Sequence, residues 1–192
     1  MLSNLLNKNI ILASKSPRRH ELLKGLDLEF EIRTKDVEEI YPSDLAPTDV
    51  PDFLAKLKAR EFENELKDDD ILITSDTIVV LADEILEKPK SEKEAITMLH
   101  KMSNCEHIVV TAVCIKSLTK TIVFSDHTKV TFSQLSDEEI KYYINKYKPF
   151  DKAGSYGVQE WIGYIAIEKL EGSYYNVMGL PVHKLYQNLK KF

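Results

Sequence analysis

The stretch ASKSPRRHELL puts two arginines, Arg18 and Arg19, in the first turn of a helix that Ser16 and Pro17 are suited to start. That end of a helix already carries partial positive charge and favours acids. Solvated arginines would cost about a few tenths of a kcal/mol there. Alternatively an anion fills the turn, met by backbone N–H groups, by the hydroxyls of Ser14 and Ser16 and by two guanidinium forks. Phosphate oxygens suit that description. A second residue with chemical potential is Asp76, which interrupts the apolar extended run ILITSDTIVV. A carboxylate there is expensive unless partnered. Either nearby N–H groups satisfy it at a strand end, or, taken with the anion turn, it is a metal ligand or general base at the end of a core strand. The acidic stretch from Asp36 to Asp44, which includes Glu38 and Glu39, reads as a solvated loop. One of its acids joining Asp76 would nevertheless suffice for Mg²⁺, which takes one or two carboxylates plus substrate phosphates. Lys56 and Lys58 on a helical stretch, and Lys88 before Pro89, add cations.

Other chemistries find no support. The five histidines show no ligand spacing, and there is no glycine-rich phosphate cradle and no serine nucleophile elbow. A net charge of −5 gives no general positive field for nucleic acid or membranes, so a local basic site points to a small anionic ligand. Two cysteines, Cys105 and Cys114, make no disulfide framework or metal spacing, and Cys114 in its apolar run reads as buried. No leader and no membrane-length apolar segment is legible, so the expected location is the cytoplasm.

These residues must be held by a core, and 192 residues with 43% apolar content suffice for one domain over 1–192, simple or two-lobed. Residues 10–13 read as a buried strand, 16–25 as a helix closed by Gly25, and 29–34 as an alternating strand. A loop with Pro42 and Pro47 leads to a helix over about 49–66, then to extended segments at 71–75 and 77–82. Ser91–Glu94 and Ser136–Glu139 are capping boxes that open helices to about 102 and 147. Between them, two long strands form a hairpin turning near Thr119. A glycine-bearing loop over 149–163, a strand near 164–170 and a helix from about 180 complete an α/β fold with a mixed central sheet and flanking helices.

With ASKSPRRHELL, SDTIVVLADEILEKP, DKAGSYGVQ and EKLEGSYYNVMGLP in order, the chain resembles the Maf family of nucleoside triphosphate pyrophosphatases from about residue 10 to 190. The resemblance implies an elongated fold like that of inosine triphosphate pyrophosphatases, with a cleft between two lobes. It implies hydrolysis between the α- and β-phosphates with a divalent metal, Mg²⁺ or Mn²⁺, and no nucleic-acid or membrane partner. A homodimer is a family expectation alone. By position, Asp76 matches the catalytic acid and metal ligand, Arg18 and Arg19 the phosphate-binding arginines, Lys58 the lysine of a KA pair and Lys88 that of a KP pair. Ser14 belongs to the same anion turn, and Glu39 matches a second metal-binding acid, with Glu38 as its rival.

The family also divides by substrate. Arg18, Thr77 and Gln159 match the dTTP/UTP branch at the three positions where the methylated-GTP branch carries Trp, Gln and Glu. The Gln159 amide both donates and accepts, as the O4/N3–H edge of uracil or thymine requires. The reading is therefore a dTTP and UTP pyrophosphatase that clears modified pyrimidine nucleotides as well. The alternatives are a 7-methyl-GTP pyrophosphatase and a nucleotide-binding regulator of cell division or septum formation. EKP stands where GKP is usual, which suggests a looser turn before Lys88.

Overall fold

The computed structural model describes residues 2–192. Two compact units emerge: one comprises the chain up to Asp76 with Thr111–Asp126 and Gly179–Phe192, the other Thr77–Val110 with His127–Met178. Strand pairing follows the order β2 (Glu31–Ile32), β1 (Asn9–Leu12), β3 (Asp70–Leu81), β5 (Glu106–Lys116), β6 (Thr121–Phe132), β7 (Ile167–Glu171), with β4 (Glu84–Leu86) on β3.

In the first unit, β1 (Asn9–Leu12) pairs in parallel with β2 (Glu31–Ile32) and with the start of β3 (Asp70–Leu81). Parallel neighbours need crossover connections, here α1 (Pro17–Lys24) and α2 (Val50–Arg60). Ala55 and Ala59, one helical turn apart, are fully covered and pack with Ile11, Leu72, Ala112 and Cys114. Small side chains at that spacing let the α2 backbone approach the strands closely. The Thr74 hydroxyl then donates to the Ala55 carbonyl at 2.6 Å, fixing the helix against β3. Burial pushes the Cys114 thiol up to about 11, as suits an inert core sulfur. α7 (Val182–Leu189), whose Leu185 and Leu189 are buried, completes this unit.

The second unit buries Val79, Leu86, Leu99, Met102, Phe132, Tyr143 and Ile162 in one cluster. It contains β4 (Glu84–Leu86), α3 (Glu92–Met102), α4 (Asp137–Tyr147), α5 (Trp161–Ala166), β7 (Ile167–Glu171) and α6 (Tyr174–Met178). The long hairpin strands β5 (Glu106–Lys116) and β6 (Thr121–Phe132) contribute to both units.

Several boundaries differ from expectation for identifiable reasons. The helix expected over 49–66 ends at Arg60, because Phe62 and Glu63 bond back only three residues and the chain unwinds while Phe62 and Leu66 stay buried. The strand expected over 29–34 pairs only at Glu31–Ile32. The segment read as a strand over 164–170 begins as α5, and strand structure starts at Ile167. A Cβ on Gly163 would lie 1.9 Å from the Val158 carbonyl oxygen, so this tight packing, rather than any periodicity, sets the short helix. Ser136 and Glu139 form the complete reciprocal cap, whereas the Glu94 carboxylate reaches past Ser91 to the Lys90 N–H at 2.7 Å. Ser16 sits at the N-cap of α1, but its own hydroxyl makes no capping bond.

Candidate active site

In the first unit Asp76 projects from β3 and Lys58 from α2, the two elements joined by the Thr74–Ala55 bond. The Lys58 ammonium donates to Asp76 Oδ1 at 2.6 Å and lies 2.7 Å from Glu39 Oε1. Side-chain exposures of 9% for Asp76 and 16% for Lys58 keep water from screening this triad as it would a surface pair. Glu39 at 40% is its open side. Two carboxylates on one ammonium leave an excess negative charge, which a second cation would balance. Of the two rival acids, Glu39 is the one brought to Lys58, and Glu38 is exposed.

The turn from Ser14 to Arg19, where the sequence leads one to expect an anion, lies beside it. Ser14, buried, uses its hydroxyl to accept the Ser16 N–H at 3.1 Å, and its carbonyl receives His20 Nε2 at 2.7 Å. Arg19 donates from Nε to the Gly179 carbonyl at 2.7 Å and from Nη1 to the Ser75 carbonyl at 2.8 Å. Burial pulls its pKa down, while Asp76 and Glu39 oppose that and Arg18 reinforces it. Arginine stays protonated throughout. Ser14, Arg19, Glu39 and Lys58 line a common cavity of about 160 Å³. Lys15 and Lys35 add cations to its wall, Asp36 joins Glu39 as a lining carboxylate, and Asp76 reaches it through Lys58.

Among the described residues no group of three or more His, Cys, Asp or Glu could hold a metal ion. Asp76 and Glu39 are the pair that could. Two carboxylates converging on one cation suit Mg²⁺ or Mn²⁺, whose remaining ligands come from substrate oxygens and water.

Thr77, Lys88 and Gln159 belong to the second unit, and Ser14, Arg18, Arg19, Glu39, Lys58 and Asp76 to the first. Lys88 is exposed and Pro89 beside it is buried. The expected loosening at EKP is not required, since Glu87 does not adopt positive φ and a glycine has no special use there. Its carbonyl instead accepts the Gly154 N–H at 3.2 Å. Gln159 Oε1 is buried and has no hydrogen-bond partner, and the same holds for Ser155 Oγ. Such an acceptor costs about 1–3 kcal/mol if nothing meets it, so each points to a ligand or water.

Sequence reasoning missed the Ser75 and Gly179 carbonyls, since backbone atoms leave no residue-type signal. It also passed over Tyr143, Lys152 and Glu160. The Tyr143 hydroxyl donates to the Glu160 carboxylate, and buried Lys152 lies 3.1 Å from Glu160 Oε1. The burial of Lys152 that marks this cluster is not legible in DKAGSYGVQ.

Residues 9–192 match the family described as Maf-like protein. The chain belongs to this family. Relatives named dTTP/UTP pyrophosphatase include that of Flavobacterium johnsoniae, 56% identical with 98% of each chain covered. The protein of that name from Parabacteroides distasonis is 51% identical with all of both chains covered. Among solved structures, the Staphylococcus aureus Ham1 protein is 17% identical, with a TM-score of 0.49 over 65% of this chain and 72% of that one. Among the described residues of this Maf-like protein, no helix is long and apolar enough to cross a membrane.

Proposed function

We propose that the chain hydrolyses dTTP and UTP, and modified pyrimidine nucleotides with them, between the α- and β-phosphates, releasing the nucleoside monophosphate and pyrophosphate. The observation that carries this reading is the Lys58 ammonium held jointly by Asp76 and Glu39 at the wall of the Arg19 cavity. The names of the relatives support the same substrate class.

In this mechanism Arg18, Arg19, Lys58 and Lys88 bind triphosphate oxygens and neutralise charge developing on the pyrophosphate leaving group. Ser14 closes the anion turn around them. Arg19 is pre-oriented by the Ser75 and Gly179 carbonyls. Asp76 orients the attacking water and takes its proton. Asp76 and Glu39 are the residues that would hold a divalent Mg²⁺ or Mn²⁺ ion. When bound, the metal supplies Lewis-acid stabilisation of phosphate charge. The Gln159 amide pairs with the O4/N3–H edge of the base, and Thr77 lies next to the catalytic acid in sequence. The enzyme works on free nucleotides in the cytoplasm, as a homodimer, without nucleic acid or membrane.

The test is pyrophosphate release from dTTP, UTP, 7-methyl-GTP and the common triphosphates with Mg²⁺ or Mn²⁺. Preferential turnover of dTTP and UTP is expected. Preference for 7-methyl-GTP would replace the substrate assignment, and tight binding without turnover would replace the enzyme by a nucleotide-binding regulator.

A further inference from the structure

The loop from Lys152 to Glu160 concentrates features that a mere connection does not need. Gly154 and Ser155 both adopt left-handed backbone, with φ of 66° and 60°. A Cβ on Gly154 would lie 3.0 Å from the Val79 side chain, and one on Gly157 would lie 2.8 Å from the Glu160 carboxyl carbon. Positive φ is unusual for serine, so the surrounding structure must hold Ser155 there. Ser155 Oγ and Gln159 Oε1 are buried without partners although the loop is otherwise well bonded.

One hydroxyl ties Gly157 to Glu160. The Tyr143 oxygen accepts the Gly157 N–H at 3.0 Å and donates its own proton to Glu160 Oε2. The Glu160 N–H in turn donates to the Gly157 carbonyl at 3.0 Å. Gln159 therefore lies inside a closed ring of hydrogen bonds running Gly157–Tyr143–Glu160–Gly157. Glu160 is also ion-paired with Lys152, which is itself bound to Asp151 at 2.8 Å. Tyr143 is fully buried in α4 and stacks on Tyr147 with ring centres 5.2 Å apart. Its hydroxyl is thus a fixed point of the core.

We infer that Tyr143, acting through Glu160, is the positioning residue that presents the Gln159 amide to the pyrimidine base. This rests on the reading of Gln159 as the base-contacting residue. Tyr143 touches no substrate. Its contribution is orientation, so its loss should appear as lost base discrimination, with hydrolysis of the triphosphate itself retained.

The experiment compares kcat/KM for dTTP, UTP and 7-methyl-GTP in the wild type, Tyr143→Phe, Glu160→Ala, Glu160→Gln and Gln159→Ala, and in the double variant Tyr143→Phe/Gln159→Ala. Tyr143→Phe and Glu160→Ala should each lower the ratio of pyrimidine to 7-methyl-GTP turnover about tenfold, the weight of one misplaced hydrogen bond. Glu160→Gln, which keeps an acceptor for the Tyr143 hydroxyl, should retain most of the ratio. In the Gln159→Ala background, Tyr143→Phe should leave the ratio where Gln159→Ala alone put it. If Gln159→Ala moves the ratio but Tyr143→Phe and Glu160→Ala only lower the melting temperature, the positioning role is wrong and the base contact stands. If Gln159→Ala leaves the ratio unchanged, the base contact is wrong and the inference goes with it. Should Tyr143→Phe fail to fold, the contrast between Glu160→Ala and Glu160→Gln decides the matter.

Discussion

The charged wall around Lys58 and the loop around Gln159 solve opposite problems. In the first unit the Lys58 ammonium is met by the Asp76 and Glu39 carboxylates, and Arg19 directs two of its donors to carbonyls. In the second, Gln159 and Ser155 each keep a buried oxygen unmet, although Tyr143, Glu160 and Lys152 close hydrogen bonds around them. The contrast follows from the cost of each group. An uncompensated buried charge is costly enough to threaten the fold, whereas one unmet amide oxygen is tolerable in a rigid frame. The Lys58 charge is therefore held in internal ion pairs, while the Gln159 and Ser155 oxygens are left unmet.

The strongest way to break this comparison is Asp76→Asn. The amide keeps the shape but cannot take the proton or balance Lys58. Turnover should fall about a thousandfold or more, ~4 kcal/mol in the barrier, while the fold survives. Retention of over about a tenth of wild-type kcat, a loss of less than ~1.4 kcal/mol, would remove Asp76 from the chemistry.

Lys58→Met sharpens it. Two carboxylates would then face each other without their cation. We expect kcat/KM to drop about a hundredfold, ~2.7 kcal/mol, and Tm in EDTA to fall by several degrees. Mn²⁺ should restore more of the variant's Tm than it adds to the wild type's. An equal Mn²⁺ response in both proteins would show that charge closure is not what Lys58 supplies.

The smallest effect concerns a neutral buried group of the second unit. His107 sits against Phe132 and Tyr156, with Nε2 2.8 Å from the Tyr156 hydroxyl, and burial pushes its pKa down to about 4. Between its ordinary value near 6.5 and about 4 the unfolded chain binds the extra proton, so stability declines as pH falls through that window. By pH 5.5 the loss should be about 1 kcal/mol. His107→Phe should flatten that slope, as read by urea unfolding at a series of pH values. An unchanged slope would place the acid sensitivity elsewhere.

Where sequence carries its own local chemistry, the structure was legible. Ser136 with Glu139, Pro17 after Ser16, and the four-residue connection of the β5–β6 hairpin are decided by neighbours in the chain. β4 was not, because its three residues become a strand only when Ala82 and Asp83 turn through positive φ and fold them onto β3. α5 and α6, six and five residues long, are too short for a periodic signal. The site divides in the same way. The expectation of an anion at the start of α1 rests on Ser14, Arg18 and Arg19 alone. The meeting of Glu39, Lys58 and Asp76 depends on how α2 docks on β3, which no spacing between them encodes. Family resemblance supplied those residues, and the bond from Thr74 to Ala55 explains why they converge.

The grip on Arg19 also imposes an order in time. One of its two carbonyl partners lies in Ser75, made early, and the other in Gly179, made 160 residues after the arginine itself. A nascent chain that has reached β7 already contains Lys58, Glu39 and Asp76, but Arg19 Nε still lacks its acceptor and α7 does not yet cover the strands. On the ribosome Arg19 would therefore be held in place only after Gly179 has been made, long after the Lys58–Asp76 pair has all its residues.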